Sequence, residues 1–138
     1  MNGKVEKASA DYMGGLYCSQ AVLGAFCEGY GMDIGLARKI SCGLNSGVRC
    51  AEICGAVSGA VLVIGLKYGD SKTDCNARVE EFLRIFRERN QDITCLNILG
   101  CDVFTPEGKE YAISNNLFTT ICKDIVISAA QILCELGY

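Results

Sequence analysis

The sequence contains no histidine among its 138 residues. That absence excludes Ser-His and Cys-His catalytic pairs and every zinc or haem site that uses imidazole ligands. It also excludes the Cys-x-x-Cys-His attachment site, so we expect no covalent haem. The remaining candidates for chemistry are thiols, carboxylates, Lys, Tyr and backbone groups.

The sequence also lacks a dense basic stripe and a long hydrophobic run. The formal net charge is −3, and the Arg residues of 78–89 alternate with Glu, so we expect no nucleic-acid binding. The longest apolar stretch, Ile53 to Leu66, is interrupted by Ser58 and is shorter than the roughly 20 residues that a bilayer requires. We therefore expect no membrane insertion. Because "MNGKVEKASADYM" lacks the apolar core of a signal peptide, a cytoplasmic location is expected.

Cysteine, in contrast, is abundant, with ten residues in the chain. A cytosolic chain of this length buries enough apolar surface to fold without a disulfide framework. The cysteines are therefore candidates for redox, metal-binding or packing roles. The length predicts one domain over residues 1–138.

Apolar residues recur at helical spacing along most of the chain, and no segment alternates at period two for long. The pattern predicts an all-α bundle of five to seven helices. Start and stop signals come from Asp33 as a cap, from Asp92 and Thr94 as possible caps, and from Gly14-Gly15 and Gly100 as stops. The segment Thr105-Pro106-Glu107-Gly108 predicts either a turn or the start of a short helix with Pro at its first position. The predicted helices lie near 5–13, from Cys18 to the stops at Gly29 and Gly31, 34–40, 50–68, 74–89 and 117–136, with a short turn of helix that holds Cys95 and ends at Gly100.

The segment "RCAEICGAVSGA" places Cys50 and Cys54 four residues apart in an apolar stripe that continues to Tyr68. On one helix these cysteines would share a face with Cβ atoms about 5–6 Å apart, which suits two ligands of one metal better than a disulfide. If the helix starts only after Cys50, the preceding loop could still bring the sulfurs together. That loop contains the Gly-rich residues 43–47, whose backbone N–H groups could face an anion, although no nucleotide motif is present.

Four segments occur in an order and spacing typical of one known family: "LYCSQAVL", "CGAVSG" followed by "AVLVIGLKYG", "CLNILGCD" and "CKDIVISAAQIL". The chain resembles the C_GCAxxG_C_C family of redox-active proteins, which is defined by four cysteines and a Cys-Gly-Ala-x-x-Gly motif. By this resemblance the four cysteines are Cys18, Cys54, Cys95 and Cys122. The motif is completed by Gly55, Ala56 and Gly59, which are the candidate cofactor-binding residues. The resemblance implies redox chemistry or cofactor handling and names no substrate.

The residues themselves give these four cysteines a common property, since each lies on the apolar side of its predicted helix. Cys18, Cys54 and Cys95 lie in or near a first turn, where the helix dipole favours thiolate. Gly55 and Gly59 lie about one helical turn apart, and neither has a side chain. This pair predicts close packing of another helix, either within the chain or across a homodimer interface. Alternatively, the glycines leave room for a ligand beside Cys54.

Three hypotheses stay open at this point. In the first, the chain is a thiol-dependent oxidoreductase or accessory redox protein with a redox partner protein. Cys54 is then a low-pKa thiolate that acts with Cys18, Cys95 or Cys122, in a reversible disulfide or in electron transfer. In the second, the four thiolates, with Cys50 as a further candidate, bind a metal or an iron–sulfur cluster. In the third, the protein is a non-catalytic helical homodimer with structural cysteines.

Overall fold

The computed structural model describes residues 3–138, which form helices joined by short turns. The α-helices are α1 (Gly3–Met13), α2 (Cys18–Phe26), α3 (Ile34–Ser41), α4 (Gly55–Tyr68), α5 (Lys72–Asn90), α6 (Cys95–Leu99), α7 (Pro106–Ser114) and α8 (Ile121–Glu135). The all-α class is confirmed. The described residues contain eight α-helices, one more than the upper end of the predicted range.

Helix ends follow the sequence signals at several positions. The Asp33 carboxylate accepts a hydrogen bond from the Leu36 N–H, and the Thr94 hydroxyl accepts one from the Asn97 N–H. These contacts satisfy N–H groups that the first turn of a helix leaves without partners. Gly100 ends α6 at a φ of 72°, in the left-handed region that glycine adopts without strain.

The predicted helix that includes Cys50 is wrong at its start, because α4 begins at Gly55. Residues 46–49 all have positive φ, with Val48 at 56° and Arg49 at 58°. This left-handed turn cannot continue into a right-handed helix, so Cys50 and Cys54 do not share a helical face. The last helix also starts later than predicted, at Ile121.

Helix α2 lies at the centre of the molecule and packs against α1, α3, α4 and α8. Its contact with α4 is close, because a Cβ added at Gly59 would lie 2.7 Å from the Ser19 carbonyl oxygen. The expected close approach of a helix at the glycine pair is therefore present within the chain. The homodimer stays a prediction.

A smaller hydrophobic cluster lies beside the main core, under α6 and α7. Its buried members are Cys95, Leu99, Val103, Ala112 and Leu117. Cys122 packs against this cluster from the start of α8. Among residues 3–138, no helix has the length and apolar character needed to cross a bilayer.

Candidate functional site

The four cysteines of the motif all lie at helix starts and face one cavity of about 400 Å³. Cys18 is the first residue of α2 and Cys95 is the first residue of α6. Cys54 directly precedes α4, and Cys122 is the second residue of α8. Four segments that are distant in sequence thus place their thiols around one space.

A short backbone bridge fixes two of these helix starts against each other. Ile53 and Thr94 form an isolated antiparallel bridge. Next to it, the Cys54 N–H donates to the Ile93 carbonyl at 2.8 Å, and the Cys95 N–H donates to the Glu52 carbonyl at 2.7 Å. Both cysteines are therefore held by hydrogen bonds at their own backbone.

Cys18 and Cys54 form a hydrogen-bonded pair of free thiols. Gly55 makes room for this contact, since a Cβ built there would lie 2.5 Å from the Cys18 Sγ. The space beside the first glycine of the Cys-Gly-Ala-x-x-Gly motif is thus filled by the sulfur of another motif cysteine. Any larger residue would displace that sulfur.

The pKa values of the two thiols are shifted in opposite directions. A hydrogen bond from Cys54 lowers the pKa of Cys18, and the N–H groups of Ser19, Ser46 and Cys18 itself lower it further, while burial opposes them. The pKa of Cys54 is raised well above its ordinary range by its hydrogen bond with Cys18, by burial and by the charge of Cys18. Of the two thiols, Cys18 therefore loses its proton the more readily.

This result corrects the hypothesis that Cys54 is the low-pKa thiolate. The helix start does favour the Cys54 anion, through the N–H groups of Ala56 and Val57. Those two donors are outweighed by burial and by the neighbouring sulfur. Cys18 instead is the thiol whose pKa is lowered.

The other two motif cysteines stay protonated. Burial, followed by the charge of Cys18, raises the pKa of Cys95 to about 11 and that of Cys122 to about 12. The expectation that the start of α6 would lower the pKa of Cys95 is therefore wrong, because burial exceeds the helix dipole there. The site favours one thiolate among four thiols.

Tyr12 closes the cavity from the C-terminal end of α1. Its hydroxyl donates to the Phe118 carbonyl at 2.6 Å and also forms a hydrogen bond with the Cys122 thiol. Burial, and then the charge of nearby Cys122 and Cys18, raise the pKa of Tyr12. Tyr12 thereby links α1 to the turn before α8 and to a motif cysteine.

The remaining candidate residues of the motif are divided between the cavity and the core. Gly55 lines the cavity, whereas Ala56 is fully buried in the main core and Gly59 packs against α2. Cys50 is exposed outside the cavity wall, and its thiol donates to the Gly47 carbonyl at 3.2 Å. Of the two cysteines in the opening segment, only Cys54 reaches the cavity.

The sequence analysis did not single out Tyr12 or Arg49, which both line the cavity. Tyr12 carries no motif, and only its position before Gly14-Gly15 marks the end of α1. The Gly-rich loop was expected to offer N–H groups to an anion, and the Ser46 N–H does so toward the Cys18 sulfur. Arg49 directly precedes Cys50, but its orientation depends on the left-handed turn.

The metal hypothesis gains no support from the arrangement of the ligating side chains. Across residues 3–138, no group of three or more Cys, Asp or Glu side chains is placed to hold a metal ion. Binding of a metal or an iron–sulfur cluster at Cys18, Cys54, Cys95 and Cys122 stays a prediction.

Several cysteines outside the motif have a packing role. Cys27 is fully buried in the main core, and Cys75 and Cys134 pack against that core from its edge. Buried free cysteine commonly behaves as a small hydrophobic residue. The hypothesis of structural cysteines thus describes these three residues well.

The fold and the site define an all-α protein with a thiol pair at converging helix starts, in which Cys18 is half-buried and Cys54 is buried. The chain belongs to the C_GCAxxG_C_C family, whose model, described as "Putative redox-active protein (C_GCAxxG_C_C)", matches residues 16–136. The match covers all four motif cysteines and confirms the resemblance seen in the sequence. No curated protein and no solved structure matches the chain.

Proposed function

We propose that the protein carries out thiol–disulfide exchange, as an oxidoreductase or an accessory redox protein, with Cys18 as the nucleophile and Cys54 as the resolving thiol. The observation that supports this most directly is the Cys18–Cys54 pair at the wall of a cavity, in which the pKa of Cys18 is lowered and that of Cys54 is raised. Thiolate is the attacking form in disulfide exchange. Cys18 is also the more exposed member of the pair, since Cys54 is buried.

The pair provides a balanced two-electron reaction. The Cys18 thiolate attacks one sulfur of a substrate disulfide, whose S–S bond breaks to give a mixed disulfide and a leaving thiolate. The negative charge on Cys18 disappears, so the hydrogen bond and the charge of Cys18 no longer raise the pKa of Cys54, and Cys54 gives its proton to the leaving thiolate. Cys54 then attacks Cys18, which releases the second substrate thiolate to take a proton from water. The substrate gains two electrons, and the protein gains a Cys18–Cys54 disulfide.

The proposal includes a reducing compartment such as the cytoplasm and a partner that reduces the pair again. All ten cysteines are free thiols in the structure, which fits such a compartment.

A trapping experiment tests the assignment of the two roles. Cys54→Ser removes the resolving thiol, so a model disulfide such as dithiodipyridine should leave a stable adduct on Cys18, located by peptide mass spectrometry without reduction. The wild type should lose the adduct and form the internal disulfide. Cys42→Ser, at an exposed position outside the cavity, is the matched control and should behave as wild type. Absence of an adduct on Cys18 in the Cys54→Ser variant would contradict the proposal.

A further inference from the structure

A second, smaller recess of about 150 Å³ adjoins the thiol cavity. Its walls are Ser46, Arg49, Val103, Phe104, Lys109 and Phe118. Ser46, Arg49 and Phe118 also line the thiol cavity. A molecule in the cavity can therefore reach the recess along a shared wall. We call this space the cationic recess.

The recess is lined by two cationic residues and by no carboxylate. Arg49 and Lys109 are exposed, and neither forms an ion pair with any residue of the described part of the chain. The Arg49 guanidinium is held over the Phe104 ring, 4.9 Å from its centre, and donates to the Asn45 side-chain oxygen at 3.1 Å. In a chain of net charge −3, this recess is locally positive.

The backbone that positions Arg49 is strained. Residues 46–49 form four consecutive left-handed positions, and one of them is the β-branched Val48. Such non-glycine positions are strained and persist where the surroundings enforce them, often at functional sites. The same turn directs the Ser46 N–H to the Cys18 sulfur and places Arg49 where the two cavities meet. The left-handed turn thus positions groups at both the Cys18 sulfur and the cationic recess.

The rest of the thiol cavity is largely apolar, with Met13, Leu16, Ile98, Leu99 and Ile125 among its walls. Its volume falls within the range of roughly 300–1,000 Å³ that is typical of small-molecule sites. An apolar chamber with a cationic recess at its edge matches an amphipathic anion: the apolar body fills the chamber, and the guanidinium binds a carboxylate or phosphate.

From this arrangement we infer the substrate class of the thiol pair: a low-molecular-weight disulfide that carries an apolar body and a negatively charged group. The inference rests on the proposed function, because Cys18 is the residue that attacks. Arg49 and Lys109 bind the anionic group, and the cavity places the substrate S–S bond next to Cys18. The exchange steps and their electron balance are those given above.

A pair of aromatic disulfides tests the charge requirement. Dithiobis(nitrobenzoate) carries a carboxylate on each ring, whereas dithiodipyridine is uncharged near neutral pH. The second-order rate constant at Cys18 is measured for both reagents, with the adduct located by peptide mass spectrometry. The background is a Cys42→Ser, Cys50→Ser variant, which removes two exposed thiols outside the cavity.

Arg49→Gln and Lys109→Gln should each slow the carboxylate reagent by about two- to fivefold, the range expected for an exposed charge interaction. The rate with dithiodipyridine should not change. Lys39→Gln removes an exposed cation on α3 that lies outside both cavities, and it should leave both rates unchanged.

The outcomes separate the inference from the proposed function. An unchanged ratio of the two rates in both recess variants would overturn the inference alone. An equal slowing of both reagents would also overturn it, because Arg49 would then act only by holding the turn. Failure of Cys18 to react with either reagent in the folded protein would overturn the proposed function, and the inference with it.

Discussion

Cys18 and Cys54 differ in the groups that surround their sulfurs, and this difference sets the direction of the proposed chemistry. The Cys18 sulfur receives N–H groups from two segments, the start of α2 and the loop at Ser46, in addition to the Cys54 thiol. Cys54 receives N–H groups from α4 alone and is more deeply buried. The sequence indicated the helix starts and a loop at 43–47 with N–H groups for an anion, but not that the Ser46 N–H would face Cys18, which depends on a turn that no helical pattern reveals. For this reason the four cysteines could be predicted, but the identity of the thiolate could not.

Removal of the Cys54 thiol should raise the pKa of Cys18. In Cys54→Ala the Cys18 anion loses its largest stabilising hydrogen bond, so its alkylation by iodoacetamide should require a higher pH than in wild type. Cys54→Ser retains a hydroxyl donor and should lie between the two. The pH dependence of the alkylation rate, followed at Cys18 by peptide mass spectrometry, measures this. An unchanged profile in Cys54→Ala would show that the pair is not coupled.

At the scale of helices, the contact between α2 and α4 positions the thiol pair. Gly59 allows the α2 backbone to approach, and Gly55 leaves space for the Cys18 sulfur. The sequence predicted that a close contact compensates for these two glycines. It could not identify α2 as the partner, because pairing of helices within one chain or between two chains gives the same local pattern.

Gly59→Ala should destabilise the fold. The added methyl would meet the Ser19 carbonyl at 2.7 Å and force the two backbones apart, which typically costs about 1–3 kcal/mol in a packed core. Gly65→Ala on the same helix is the matched control, because no other atom lies within 4 Å of its added Cβ. That variant should stabilise α4 by roughly 0.5–1 kcal/mol. Equal effects of the two substitutions in denaturant unfolding would contradict the close contact.

Helix boundaries were predictable where a side chain or glycine determines them locally. The caps at Asp33 and Thr94 and the stop at Gly100 are of this kind. The start of α4 was not predictable in this way. The apolar stripe begins at Cys50, whereas the left-handed turn just before Cys50 delays the helix until Gly55. Val48 disfavours a positive φ, so its conformation depends on tertiary contacts rather than on local preference.

At the scale of the whole molecule, the cavity exists because four helix starts converge. Each start could be predicted from its own segment, whereas the convergence depends on how α2, α4, α6 and α8 pack. The backbone bridge at Ile53 and Thr94 contributes to this convergence, and it pairs residues about forty positions apart in a chain without any alternating pattern. Long-range contacts of this kind leave no periodic signal in the sequence.

The protonated thiols of the cavity should make the fold less stable at alkaline pH. In the unfolded chain, cysteine ionises near a pKa of about 8.5. The folded protein holds Cys95 protonated up to a pKa of about 11 and Cys122 up to about 12. Their stabilising contribution is therefore complete below the unfolded pKa and is lost as the pH rises through the folded values.

Denaturant unfolding measured from neutral to alkaline pH tests this coupling. The free energy of unfolding should fall with pH more steeply in wild type than in a Cys95→Ala, Cys122→Ala variant, because the variant lacks both groups. The comparison uses the slopes, since the substitutions also lower stability at every pH. Equal slopes would contradict the burial of these thiols.

The central claim is that Cys18 and Cys54 form one redox couple, and a redox titration with differential alkylation tests it most directly. The wild-type protein is equilibrated across a series of glutathione buffers, and each cysteine is scored as thiol or disulfide by peptide mass spectrometry. We predict that Cys18 and Cys54 are oxidised together, to each other, along one two-electron curve, while Cys95 and Cys122 stay reduced. If Cys18 and Cys54 stay reduced throughout, or if either forms its disulfide with another cysteine, the account is wrong.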